Sequence, residues 1–480
     1  MKGARELFVS VISKAIMSNK IIRNIAAKKF DKYLYDNTIT NTKSKMPKNV
    51  QMDKYYGLRA MFESSLRNLN KGYISKELGN RVVKTLVNNA MLKGGGTKEI
   101  IENFKKKHGH GPPSFIVISP TKRCNLHCIG CYASSSAETA ETLDFEIVNK
   151  ILRQAHDLFG DRFIVISGGE PMMYRSNGKT ILDFPRSHPD MFFLMYTNGT
   201  LITPEVAKEM EKLGNITPAI SVEGYREETD WRRGKGVYDR ILKAFENLRN
   251  AGVPFGISVT ATKKNYDILM SDEFYDLYFD KLGATYMWIF QYMPIGRNFK
   301  KDMKELMITP EQRFNLFKKW RYILKEKRYF VADFWNSANL SDGCIAYGRQ
   351  GGYFYIDWNG KIMPCVFIPY SVGNVKDLFA QGKTLEDIIE CDVFKRGREW
   401  QRRYKNIEGK VGNMLTPCSI RDNHKEFMEV IKGAEPEDEA AKEAMKSEEY
   451  HKTLINFDNE LKSLVDPYWE KEYLSSGRAS

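Results

Sequence analysis

The chain has 480 residues, 42% of them hydrophobic, 12% aromatic and 28% charged, proportions that exclude a disordered chain, a collagen-like repeat and a disulfide-stapled miniature protein. Its net charge is +14 at pH 7, and the first 110 residues hold 23 Lys and Arg against 8 Asp and Glu, so the remainder is near neutral. Such asymmetry points to an appended basic segment that meets an anionic surface; the competing reading is that its lysines only keep a helical region in solution.

The first predicted element lies in that segment. From Phe8 on, Val11, Ile12, Ala15, Ile16, Ile22, Ile25, Ala26, Phe30, Tyr33 and Leu34 recur on one helical face, with Lys14, Lys20, Lys28, Lys29 and Lys32 elsewhere. This is the pattern of a basic amphipathic helix that either lies on a membrane surface or docks on its own protein. Aromatic and basic residues do not interleave there as they do in RNA-binding motifs, which disfavours nucleic acid. No apolar run reaches the roughly 18 residues that span a bilayer, and no small-residue cleavage site follows the apolar stretch at 7–17. A cytoplasmic protein is expected, with a helical N-terminal region over 1–108 in peripheral contact with membrane.

Glycines and prolines at 94–96 and 109–113 punctuate the chain ahead of an alternating series. Strands are predicted at 115–119, 163–167, 192–196, 219–222, 255–260 and 286–290, with helices between them, notably at 204–213 and 238–250. The first helix, carried by Phe145, Val148, Ile151, Leu152, Ala155 and Phe159, is expected to be capped by Thr142 and closed by Gly160. Six such units imply a parallel α/β sheet whose chemistry sits on loops at the carboxyl ends of the strands. Two of those loops are distinctive. CNLHCIGC follows the first strand and holds Cys124, Cys128 and Cys131; thiolates this close are soft ligands for iron and sulfide, and three of them on a four-iron cluster leave one iron open. His127, inside the loop, is expected to point away. Gly168, Gly169, Glu170 and Pro171 follow the second strand.

The three cysteines, the aromatic Tyr132 after them and the GGEP turn together resemble the radical S-adenosylmethionine (radical SAM) superfamily. The resemblance implies a partial (β/α)6 TIM-like barrel over 109–335 and a 4Fe-4S cluster on Cys124, Cys128 and Cys131. It implies S-adenosylmethionine at the open iron, with Tyr132 near the adenine and Gly168, Gly169, Glu170 and Pro171 at the methionine amine. The stretch SVEGYREETDWRRGKGVY, beginning at Ser221, is similar to the SxDGxxExHDxxRG segment of members with a cysteine-rich C-terminal extension. By that match Ser221 lies near the cofactor carboxylate or ribose and Arg233 pairs with the carboxylate. The match departs at Glu223, where Asp is usual, and at Thr229, where His is usual, which puts a catalytic role for Glu223 in doubt. Without the family, Arg232 and Arg233 read as an exposed basic turn, and Asn198 as a turn residue with Gly199.

Seven cysteines in a long chain without an export signal argue for metal or catalysis over disulfides. YFYIDWNGKIMPC reads as a hairpin turning at Asn359 and Gly360 and ending at Cys365. It resembles the Gx4C hairpin of the auxiliary-cluster extensions known as SPASM or twitch. That resemblance implies a small C-terminal extension over 336–425 with ligands at Cys344, Cys365 and Cys418; a full extension of this kind holds two clusters, and since only four cysteines lie outside the barrel, one auxiliary 4Fe-4S cluster is expected. The fourth ligand stays open among Cys391, Asp422 and His424, because Cys391 sits on an expected helix, LEDIIECDVFKR, where packing as a small hydrophobe explains it equally well. The tail, 426–480, reads as a charged, solvated helix. Members of the family take an electron from a low-potential donor such as flavodoxin or ferredoxin, cleave S-adenosylmethionine and abstract hydrogen from an unactivated C–H bond. A lipid or a peptide is the expected substrate. The competing class is an iron-sulfur protein that transfers electrons or senses redox state, which needs no turn for a methionine amine.

Overall fold

All six expected strands are present in the computed structural model, which describes residue 16 and residues 20–42, 44–91, 97–297, 299–405 and 411–477. The elements that matter for the site are, in chain order, α1 (Lys20–Tyr35), α2 (Lys48–Asn70), β1 (Ile116–Ile118), α3 (Phe145–Gln154), β2 (Phe163–Ile166), β3 (Phe192–Thr197), α4 (Pro204–Leu213), β4 (Ile216–Val222), α5 (Arg226–Arg233), α6 (Val237–Ala251), β5 (Gly256–Ala261), β6 (Tyr286–Gln291), α7 (Pro310–Tyr322), β7 (Val331–Asp333), β8 (Tyr355–Ile356), β9 (Lys361–Met363), β10 (Gly373–Asn374), α8 (Asp392–Lys405) and α9 (Glu448–Tyr468). The ten strands form one sheet in the order β10-β9-β8-β1-β2-β3-β4-β5-β6-β7.

Every neighbouring pair from β8 to β7 is parallel, whereas β8, β9 and β10 run antiparallel. The strand order is open, a partial barrel whose edges among the described residues are β7 and β10. Strands covered on both faces read as continuous apolar runs, and the first four residues of β3, FFLM, are all buried. The three residues of β7 are too short to show a period, so it has no counterpart among the expected strands. The predicted hairpin does form, with Asp357 accepting from the Asn359 and Lys361 amides at 2.9 and 2.7 Å, and its first strand pairs with β1. The cysteine-bearing extension therefore continues the barrel's own sheet.

The start of α3 differs from expectation. Its cap is Asp144, which accepts from the Glu146 amide at 2.8 Å. Thr142 instead shares a hydrogen bond of 2.9 Å with Thr121, closing the base of the cysteine loop. Gly160 does end the helical segment, at φ 72°.

Of the N-terminal stripe, Phe8, Val11, Ile12, Lys14 and Ala15 lie outside the described residues, as do the glycines at 94–96. The rest of the stripe divides. Ala26 is buried and Phe30 packs on Phe62 of α2 with ring centroids 4.5 Å apart, while Ile22 and Ile25 are 45% and 54% exposed. The tail is docked rather than solvated. Helix α9 buries Tyr450, Leu454, Phe457, Leu461 and Val465, and beyond it Tyr473 donates to the buried Asp53 of α2 at 2.5 Å. Asp53 also accepts from Arg321 of α7 at 2.9 Å and from Asn339 at 2.7 Å, so one carboxylate ties α2 and the segment at Tyr473 to the barrel. The sequence hid this because a helix rich in Glu and Lys looks the same whether or not its narrow apolar stripe finds a partner.

Replacing a capping Asp by Ala leaves a first-turn amide without its partner. Asp144→Ala is expected to lower stability by about 1 kcal/mol, read as a lower thermal midpoint with the fold retained.

Candidate functional site

The loop after β1 is held by backbone contacts from two directions. Gly169 and Glu170 donate to the Thr121 and Arg123 carbonyls at 2.9 and 2.8 Å. There is no room for a side chain at this crossing, since a Cβ on Gly169 would lie 2.3 Å from both the Lys122 and Arg123 carbonyl oxygens. Gly168 adopts φ +119° with its open side 2.6 Å from the Thr121 carbonyl. Only glycine meets both demands. From the other side, Arg232 donates to the Ile129 carbonyl at 3.1 Å, and Arg297 donates to the Cys128 carbonyl at 2.9 Å.

Glu170 is fully buried behind the turn. Its carboxylate accepts from the Met172 amide at 3.0 Å, the Thr197 hydroxyl at 2.7 Å and the Asn198 amide at 2.7 Å. It thereby fastens the turn after β2 to the end of β3. Tyr132 reaches back to the same turn, with its hydroxyl 2.8 Å from Ser167 Oγ and accepting from the Gly168 amide at 3.3 Å. The structure thus brings Tyr132, Gly168, Gly169, Glu170 and Pro171 together, with the glycines on the cavity wall and Glu170 behind it.

The two departures from the family pattern have a joint explanation. Glu223, 1% exposed, receives Arg232 at 2.6 Å and Arg233 at 2.5 Å, and its backbone amide donates to the Thr229 hydroxyl at 3.1 Å. The longer Glu side chain serves two arginines, and the small Thr229 caps its backbone. Arg232 and Arg233 are therefore not an exposed turn: Arg232 is buried, Arg233 is largely covered with its side chain 11% exposed, and both are oriented cations. Ser221 shares a hydrogen bond of 3.1 Å with Ser258 and faces the same space.

That space is a cavity of about 240 Å³ at the carboxyl ends of the strands, walled by Cys124, Cys128, Cys131, the two glycines and Arg233. Burial pushes the Cys124 thiol up to about 12. Burial also raises Cys128, with Arg233 opposing. A thiol raised by burial becomes a thiolate readily only where positive charge is supplied, and iron supplies it. Among the described residues no three His, Cys, Asp or Glu gather tightly enough for a single ion, whereas a cubane takes its cysteines on separate irons. The donor set fits a four-iron cluster. Besides Arg232, Asn198 is a site residue that the sequence reading set aside, since it lines the cavity with Nδ2 3.9 Å from Cys124 Sγ. Arg297 was not foreseen at all, and nothing in its local sequence marks it. His127 is exposed, as expected.

A second group of thiols lies behind the cavity wall. Burial raises Cys418, and Asp422, Cys344 and Cys365 add to the effect; the buried ring of Tyr347 senses all three thiols. Cys391 is not among them. It sits in the break between the helix Leu385–Ile389 and α8 rather than on a continuous helix, and its principal electrostatic neighbours are Arg398 and Asp392. Asp422 is committed to Arg313, both of its oxygens engaged, and also accepts from the Cys418 amide at 3.0 Å. The ring nitrogens of His424 face the Ile420 carbonyl at 2.8 Å and His451 at 2.9 Å. Of the three candidates for a fourth ligand, Cys391 is apart from the thiol group, and Asp422 and His424 are engaged by other partners.

The glycine crossing yields a sharp expectation. Gly169→Ala drives a Cβ into two carbonyl oxygens of the cysteine loop, so the loop must shift and the first cluster should not assemble. Iron after anaerobic reconstitution should fall to about half, while Gly178→Ala, in open space at φ +73°, should keep full iron. Full iron in Gly169→Ala would contradict the geometry.

Comparison with known proteins agrees with this geometry. The radical SAM superfamily profile matches residues 118–269, and that of the SPASM iron-sulfur cluster-binding domain matches residues 344–419. The mycofactocin maturase MftC of Mycolicibacterium smegmatis is 31% identical over 298 residues, 60% of this chain and 71% of that protein. An AdoMet-dependent heme synthase of Methanosarcina barkeri is 25% identical over 332 residues, 62% of this chain and 88% of that protein. The crystal structure of Streptococcus suis SuiB bound to S-adenosylmethionine shares the fold, with a TM-score of 0.50 and 19% identity over 67% of this chain and 75% of its own. These relatives are enzymes, so the chain is an enzyme rather than an electron carrier or redox sensor, and its cofactors are a 4Fe-4S cluster, S-adenosylmethionine and auxiliary iron-sulfur. The chain belongs to the radical SAM superfamily, in the group whose barrel is followed by a SPASM domain.

Proposed function

We propose that the protein abstracts hydrogen from an unactivated C–H bond on an apolar part of a peptide, using a first cluster on Cys124, Cys128 and Cys131 and a single auxiliary cluster on Cys344, Cys365 and Cys418. When bound, the first cluster and S-adenosylmethionine supply a one-electron reductive cleavage that yields a 5'-deoxyadenosyl radical. The residues of the chain bind, orient and exclude water. In this reading Gly168 to Pro171 offer backbone to the methionine amine, and Arg233, held by Glu223, pairs with the carboxylate. Ser221 meets the carboxylate or ribose, and Tyr132 packs near the adenine. A low-potential donor of the flavodoxin or ferredoxin type delivers the electron.

The observation that carries the substrate reading is the cavity wall. Phe115, Phe163, Trp288, Phe290, Phe334 and Phe367 make up much of it, and among the described residues its only charged side chains are Arg232 and Arg233. An apolar or aromatic side chain fits such a wall, and water is kept from the reacting carbon. MftC is named a maturase, and SuiB has been solved with a precursor peptide, which supports a peptide for this chain.

With dithionite as reductant, reconstituted protein should convert S-adenosylmethionine to 5'-deoxyadenosine. It should hold about eight irons, and a Cys124→Ala/Cys128→Ala/Cys131→Ala variant about four. Arg233→Ala should raise the S-adenosylmethionine concentration for half saturation by about tenfold or more, the loss of one charge-assisted hydrogen bond of about 1.5 kcal/mol. Absence of 5'-deoxyadenosine from protein with its iron intact would sink the reading.

A second reading, a lipid substrate taken at a membrane surface, is favoured by the exposed Ile21 and Ile25 beside Lys20, Lys28, Lys29 and Lys32 on α1. Each basic residue near an anionic surface contributes about 1 kcal/mol, and salt screens it. Cosedimentation with vesicles rich in anionic lipid should then be strong at low salt, weaker at high salt and lost when those four lysines become Glu. Equal recovery of both proteins with vesicles would leave the peptide reading alone.

A further inference from the structure

We infer that Tyr353 is a positioning residue of the auxiliary centre: from the wall of the reaction cavity its hydroxyl donates a hydrogen bond to the Cys365 sulfur and raises that centre's reduction potential. The inference rests on the proposal that Cys344, Cys365 and Cys418 hold a cluster.

Tyr353 is 1% exposed, and its hydroxyl oxygen lies 2.9 Å from Cys365 Sγ. The same oxygen accepts from the Val366 amide at 3.4 Å. A cluster-bound cysteine sulfur carries no proton, so in this pair the phenol is the donor and the sulfur the acceptor. The Phe367 amide, 3.4 Å from the same sulfur, is a second donor. The ring stacks on Phe115 at 5.1 Å and 18°, and Tyr353, Ile345, Val366 and Phe367 all line the cavity. Two of these residues directly follow auxiliary cysteines, Ile345 after Cys344 and Val366 after Cys365.

The backbone fixes this arrangement. Tyr353 donates to the Ile345 carbonyl at 2.8 Å, and a Cβ on Gly352 would lie 2.3 Å from that oxygen, so the two segments touch without a side chain between them. One residue therefore links two ligand segments, the cavity and a ligand sulfur. Hydrogen bonds to the sulfurs of an iron-sulfur cluster stabilise its more negative reduced state and shift its potential upward. Phenylalanine keeps the ring and its stacking but removes this donor.

The test uses the full chain in the Cys124→Ala/Cys128→Ala/Cys131→Ala background, so that only the auxiliary centre remains, with EPR-monitored redox titration as the readout. Tyr353→Phe should keep about four irons and show a lower midpoint potential, while Tyr370→Phe, a buried tyrosine packed on Phe427, should match the parent. An unchanged midpoint in Tyr353→Phe overturns the inference. Should that variant lose its iron, 3-fluorotyrosine placed at 353, a stronger donor, must raise the midpoint, and no shift overturns the inference equally. A parent protein without iron in this background would overturn the auxiliary-site proposal itself.

Discussion

The site depends on one crossing of two backbones. Gly168 and Gly169 press against the carbonyls of residues 121–123, and that approach sets where the cysteine loop emerges from β1, hence where its three sulfurs point. Glu170 then locks the crossing to β3 by accepting three hydrogen bonds from inside the protein. Arg232, oriented by Glu223, holds the far limb of the loop through the Ile129 carbonyl. A cluster on these thiols would be bound where the contacts leave them, so residues outside its ligand set would determine its position.

Much of this was legible in the residues. Continuous apolar runs ending in the cysteine loop and the glycine turn placed both motifs at strand ends, and the departures Glu223 and Thr229 were visible as departures. Their meaning was not visible, because the pairing of Glu223 with two arginines depends on the turn between β4 and α5. Arg297 reaches the loop from more than 160 positions along the chain, a distance over which no local period carries information. The convergence of Cys344, Cys365 and Cys418, spread over 75 residues, likewise depends on a hairpin joining the barrel sheet at β1. The solvated tail failed as an expectation for the opposite reason: its charge was plain, but its partner surface was far away in sequence.

The shared sheet gives the two iron-sulfur sites their relation. Because β8 pairs with β1, the segment that carries Cys365 lies beside the strand that leads into the first cysteine loop, and the cavity is bounded on one side by Cys124, Cys128 and Cys131 and on the other by residues adjacent in sequence to Cys344 and Cys365. With the clusters placed as proposed, an apolar group in that cavity would sit between two redox centres, within a largely aromatic wall where electrostatic effects are strong.

The central claim is that the iron held by Cys124, Cys128 and Cys131 has an open position that takes S-adenosylmethionine. It is tested most directly by EPR of the reduced Cys344→Ala/Cys365→Ala/Cys418→Ala protein, which should retain only the first cluster. Adding S-adenosylmethionine should change the g-values of that spectrum, and methyl-13C-labelled cofactor should show electron-nuclear coupling to the cluster. A reduced spectrum identical with and without the cofactor, in protein that holds about four irons, would contradict the account.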